Sequence, residues 1–198
     1  LESRGHKFLG IYTVAPKATM AVIVVHGLGI HPDWGMISTL RTQLADQGYT
    51  TLSIQMPVLG KDAKPEAYPA TFPEGAQRIE AAVKFLHDKG YAKVALVSHS
   101  MGSRMSRVYV AHHPNGVVAW ASLGIGGGDT YQGIKVPVLD LYGQHDLTQV
   151  LAGTKKRALS LRGIPGSKQV RIADTDHFFA DHESEMVKAV KDFLDTVP

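Results

Sequence analysis

The sequence predicts an α/β architecture: a mostly parallel open sheet of about six to seven strands with helices on both faces. Three observations predict it. Short apolar runs rich in β-branched residues alternate with longer segments at helical spacing. Most of the runs are apolar without a break, as in strands buried on both faces. The periodic stretches stop directly at Gly or Pro, the usual helix terminators.

In chain order, the weakly patterned segment Phe8 to Val14 is expected as an antiparallel edge strand. Strands are then expected at Ala21 to Val25, Thr51 to Gln55, Lys93 to Ser98, Val117 to Leu123, Val136 to Tyr142 and Gln169 to Ile172. Between and after them lie helices at Trp34 to Gln47, Pro73 to Lys89, Met101 to His113, Val150 to Arg162 and Glu183 to Thr196. Met56 to Phe72 contains Pro57, Pro65 and Pro69 and runs into Pro73, so it is expected as an irregular loop without a helix. As the longest loop it is the natural candidate for a lid.

With 198 residues the chain can bury one sizeable core, and a single domain over 1–198 is expected. A composition 44% hydrophobic and 20% charged is that of a soluble globular protein. The 21 basic and 18 acidic residues give a net charge of +3 and are scattered, so neither nucleic acid nor a membrane surface is indicated as a partner. The chain has no cysteine, which rules out a disulfide framework, a thiolate metal site and a cysteine nucleophile. No apolar run reaches the length of a membrane span; the longest candidate is Met20 to Val25. The sequence begins at Leu1, as a processed or trimmed chain would. The compartment is therefore open between the cytoplasm and, had a signal peptide been removed, the periplasm or exterior. Nothing in the sequence speaks to oligomeric state.

The chemistry gathers where strands end. Val94 to Val97 runs into Ser98-His99-Ser100-Met101-Gly102 and then a helix, which is the pattern of a sharp turn presenting a serine nucleophile, with small residues two before and two after it. Taken alone, Ser100 is as well placed to be a simple N-cap. His26-Gly27-Leu28-Gly29 follows the first parallel strand, where glycines let the backbone approach a substrate; Leu28 and Met101 are the candidate donors of two oxyanion N–H groups. Asp146 stands three residues beyond Gly143 at the end of another strand, where it can reach a histidine or else cap the next helix. Asp140 is the weaker alternative acid because it lies within the strand. His177, in Ala173-Asp174-Thr175-Asp176-His177-Phe178-Phe179, follows the last strand and is the candidate base.

Ser100, Asp146 and His177 thus occur in the order nucleophile, acid, base, each just beyond a strand and on one edge of the sheet. In these motifs the sequence resembles the α/β-hydrolase superfamily, specifically its small bacterial members with an Asp-His-Phe-Phe histidine loop, from Ala21 to about Leu194. The resemblance implies the corresponding roles for Ser98 to Gly102, His26 to Gly29, Asp146 and His177. It departs from the family at Ser98, where glycine is usual, and only a slight adjustment of the turn is expected. Larger relatives insert a helical cap between the strands ending near Leu123 and beginning at Val136. Only about a dozen residues lie there in this chain, so the site is expected to be open.

The implied function is serine hydrolysis of a carboxylic ester or related acyl compound, carboxylesterase-like, on a small-molecule substrate and without metal, nucleotide or organic cofactor. The same three residues also serve thioesterases, peptidases and acyltransferases, and the fold serves catalytically silent scaffolds. His31, Trp34 and His99 are candidates for lining the substrate pocket. His112-His113, whose side chains diverge on a helix, and the group His177, Asp181 and His182 do not have the spacing of a metal site. Gly124 to Gly128 lacks the residues of a phosphate cradle and is expected as a loop near the site.

Overall fold

The computed structural model describes residues 1–198. Nine strands and six α-helices are arranged as β1 (Glu2–Ser3), β2 (His6–Lys7), β3 (Gly10–Thr13), β4 (Met20–Val25), α1 (Gly35–Asp46), β5 (Thr50–Ile54), α2 (Phe72–Asp88), β6 (Lys93–His99), α3 (Met101–His112), β7 (Ala119–Leu123), β8 (Val138–Gly143), α4 (Thr148–Leu151), α5 (Thr154–Leu161), β9 (Lys168–Ile172) and α6 (Glu183–Leu194). β3 to β9 form one seven-stranded sheet in the order β3-β5-β4-β6-β7-β8-β9. All its neighbours pair in parallel except β3, which pairs antiparallel with β5 as the edge strand expected from Phe8 to Val14.

Alternation along the strands builds two cores. Ala21, Ile23 and Val25 of β4 face the layer containing Ile79 and Leu86 of α2 and Met105 and Tyr109 of α3. Met20, Val22 and Val24 face the opposite layer, where Ile37, Leu40 and Leu44 of α1 meet Met186, Val190 and Phe193 of α6. Central strands buried on both faces explain the unbroken apolar runs. No helix lies between β7 and β8, so no cap covers the carboxyl ends of the strands.

Two expectations need correction. The segment Met56 to Phe72 is not irregular throughout: Pro65–Thr71 forms a 3-10 helix leading directly into α2. Pro65 at its first position gives up an N–H that would have had no partner, and the fixed φ of proline suits a helical turn. The buried Tyr68 anchors the segment by accepting a hydrogen bond from the N–H of Leu59 at 3.2 Å. The single helix expected at Val150 to Arg162 is two, broken at Ala152 and Gly153. Arg157 is the cause. Its buried guanidinium turns back to donate to the carbonyl of Val150 at 2.9 Å, and a Cβ on Gly153 would come within 2.6 Å of its Nη1.

The β1–β2 hairpin was not anticipated. It turns on Arg4 and Gly5, both with positive φ, and pairs only residues 2–3 with 6–7.

Candidate active site

The carboxyl ends of β4, β6, β8 and β9 bring the predicted residues together. At the end of β6 the chain turns sharply into α3, and Ser100 takes φ 55° and ψ −121°. A non-glycine residue in that region is strained and persists only where the surroundings hold it. Here the Ser100 N–H donates to the carbonyl of Leu123 at 2.7 Å, and the Ser103 hydroxyl donates to the carbonyl of Ser98 at 2.7 Å. Gly102 is required sterically, since a Cβ there would lie 2.3 Å from the carbonyl oxygen of His26. Ser98 is more than a tolerated replacement. Its buried hydroxyl accepts a hydrogen bond from the indole N–H of Trp120 at 2.7 Å, satisfying a donor that would otherwise be stranded in the core.

His177 Nε2 lies 2.9 Å from Ser100 Oγ, and His177 Nδ1 lies 2.6 Å from Asp146 Oδ1. Asp146 accepts further hydrogen bonds from the N–H of Leu147 at 2.7 Å and of Gly143 at 3.3 Å, and as a carboxylate it accepts from the imidazole as well. The tautomer follows: Nδ1 carries the proton, and Nε2 is left to accept from the Ser100 hydroxyl. Asp140, the weaker candidate acid, is committed elsewhere. It is buried and paired with Arg157 Nε at 2.9 Å, and also accepts from the Tyr131 hydroxyl and the Gln169 amide.

Neither the N–H of Leu28 nor that of Met101 donates to any protein acceptor, and both residues border the same cavity as Ser100 and His177. Met101 is the first residue of α3, where helix geometry leaves the N–H free. Gly27 allows the β4 loop to close on the elbow, because a Cβ there would lie 2.9 Å from that of Ser100.

Histidines brace the site from behind, in roles the sequence did not disclose. His26 is buried, donates from Nδ1 to the carbonyl of Gly27 at 2.8 Å and accepts at Nε2 from the N–H of Met56 at 2.9 Å, tying the β4 loop to the β5 loop. Burial lowers its pKa to about 4, which keeps it neutral. His99 donates from Nε2 to the carbonyl of His177 at 2.9 Å, and its ring packs 4.6 Å from that of His177. Burial, and then the neighbouring His177, lower its pKa to about 3. His99 borders the cavity, with its Nε2 holding the histidine loop and its Nδ1 without a hydrogen-bond partner in the protein. His31 and Trp34 lie outside the cavity lining: His31 Nδ1 accepts from the N–H of Asp33 at 3.3 Å, and Trp34 packs edge-on to Phe178, 5.2 Å between centroids.

The cavity has a volume of about 520 Å³ and opens to solvent above Ser100. One wall comes from the 3-10 segment through Pro65, Glu66 and Pro69, another from Gly124, Gly126 and Gly127, and the mouth from Leu147 and Phe178. Two glycines shape it most. Gly143 lets the histidine loop pass, since a Cβ there would lie 2.4 Å from the carbonyl oxygen of Asp176, and Gly124 lies under His177 itself. A glycine at a strand end was the available signal for both.

Solved structures resemble this one along nearly the whole chain. A dienelactone hydrolase from Anabaena variabilis superposes with a TM-score of 0.81 at 20% identity, covering 99% of this chain and 94% of its own. Est1E from Butyrivibrio proteoclasticus, with ferulic acid bound, gives 0.81 at 16% identity over 98% and 96%. A serine hydrolase without a lid from Xanthomonas campestris gives 0.76 at 17% identity over 96% and 89%. The chain therefore has the α/β-hydrolase fold, in a form without a large cap. In sequence, residues 1–76 match a family described as a protein of unknown function, DUF3530. No curated protein matches the sequence.

Proposed function

We propose that this chain is a serine hydrolase of carboxylic esters, acting on a small-molecule acyl substrate through a covalent acyl-enzyme. The observation that carries the reading is the continuous hydrogen-bonded chain from Asp146 through His177 to Ser100, ending on a strained serine beside two free backbone N–H groups. The Ser100 oxygen attacks the acyl carbon while its proton passes to His177 Nε2, and Asp146 holds the Nδ1–H and steadies the imidazolium. The carbonyl oxygen takes up the electron pair and is stabilised by the N–H groups of Leu28 and Met101. Collapse expels the alcohol, which takes the proton from His177. Water then attacks the acyl-serine with His177 as base, releasing the acid and restoring the hydroxyl. The ferulic acid held by the structurally similar Est1E is a small carboxylic acid of the kind such a reaction releases.

The test is release of p-nitrophenol from p-nitrophenyl acetate and butyrate. Native protein is expected to turn over at least one ester, and Ser100→Ala or His177→Ala to lower kcat by at least about a thousandfold. Absence of turnover on both esters, or turnover undiminished in Ser100→Ala, would refute the reading.

A further inference from the structure

Of the side chains bordering the cavity, only Arg104 and Glu66 carry a full charge at neutral pH. Arg104 is the fourth residue of α3; its backbone N–H donates to the carbonyl of Ser100 at 3.4 Å, and both residues border the cavity. Its guanidinium is held from several sides. Nε donates to Asp129 Oδ2 at 2.7 Å, the Phe72 ring lies under it with Cζ 5.0 Å from the centroid, and Gly127 packs so closely that a Cβ there would come within 2.8 Å of Cζ. Neither Nη group has a hydrogen-bond partner in the protein, and neither is among the buried unpaired atoms, so both remain open to solvent.

A planar fork fixed at one edge and free at the other is the arrangement that recognises a carboxylate in two-point fashion. Asp129 offsets part of the charge but fixes the direction of the free donors. Glu66, the opposing charge, is exposed on the rim and forms no ion pair with Arg104. From this geometry we infer that Arg104 is a specificity-determining residue and that the cavity takes substrates bearing a carboxylate close to the reacting carbonyl. The inference rests on the ester-hydrolase reading for its reaction, but its binding element can be tested apart from turnover.

Two measurements separate the two. With turnover, kcat/KM is compared within matched pairs: 4-acetoxybenzoate against its methyl ester, which varies the alcohol side, and the p-nitrophenyl hemiester of adipic acid against p-nitrophenyl hexanoate, which varies the acyl side. Native protein is expected to prefer the carboxylate in at least one pair. Arg104→Gln is expected to lower that preference by about tenfold to a hundredfold, the range of a charge-assisted hydrogen bond. Arg104→Lys is expected to restore part of it, and Glu66→Gln to raise it. Without turnover, the Ser100→Ala protein is titrated calorimetrically with 4-acetamidobenzoate, an uncleaved amide of the first substrate, and with its methyl ester. The carboxylate is expected to bind more tightly, and Arg104→Gln to remove the difference. Equal binding of the two compounds, or a preference that survives Arg104→Gln, overturns the inference even if every ester is hydrolysed. Retained carboxylate binding without hydrolysis would leave the anion site standing and overturn the esterase reading instead.

Discussion

A Cβ placed on Gly124 would lie 2.9 Å from Cε1 and 3.0 Å from Nδ1 of His177, so the imidazole rests directly on the backbone that leaves β7. The φ of +59° at Gly124 is one that side chains rarely adopt. Gly124→Ala is therefore expected to displace the His177 ring and to lower kcat on a p-nitrophenyl ester by about tenfold to a hundredfold. The accompanying loss of stability is expected to be about 1–2 kcal/mol, measured by urea unfolding. A fall in activity much larger than the small change in stability would locate the effect at the ring.

Ser98 tests a different part of the elbow. Replacing it by Ala keeps a small side chain at the turn but leaves the buried Trp120 indole N–H without its acceptor. A stability loss of about 1–3 kcal/mol is expected, with kcat close to native. The urea midpoint and a single ester assay check both halves.

The neutral histidines give stability a definite dependence on pH. For His26 and His99 the folded pKa lies below the ordinary value of 6.5, at about 4 and about 3. Below 6.5 the unfolded chain therefore binds more protons than the folded one, and stability falls as pH drops from about 6.5 toward those values. Above 6.5 the contribution is complete. Urea unfolding at pH 7, 5.5 and 4.5 is expected to show this decline, and His26→Gln to make it shallower. An unchanged slope in the variant would show that His26 contributes nothing to it.

Asp140 and Arg157 form a buried ion pair at 2.9 Å with side-chain exposures of 0% and 1%. Arg157→Met is expected to cost about 3–5 kcal/mol because it strands the carboxylate. The double variant Asp140→Asn, Arg157→Met is expected to recover part of that loss. Unfolding free energies of both variants check it, and a double variant less stable than Arg157→Met would count against the pairing.

The order of elements was legible because it is local: β4, β6 and β8 are apolar runs, and Gly48 and Gly90 directly follow periodic stretches. The proximity of Ser100, Asp146 and His177 was legible for a related reason, since each follows a strand and parallel strands share one edge. What escaped the sequence depends on partners distant along the chain. The break at Gly153 exists because Arg157 folds back on Val150 while pairing with Asp140. Ser98, expected only to adjust the turn slightly, answers to Trp120. The bracing by His26 depends on Met56. The 3-10 turn was hidden because prolines that exclude a long α-helix still fit a short helical segment.

The central claim is that Ser100 is an activated nucleophile, and labelling with a fluorophosphonate followed by peptide mapping tests it most directly. Native protein is expected to carry the phosphonyl group on Ser100, with Ser100→Ala unlabelled and His177→Ala labelled far more slowly. A native protein that does not react, or one labelled elsewhere while Ser100 stays unmodified, would contradict it.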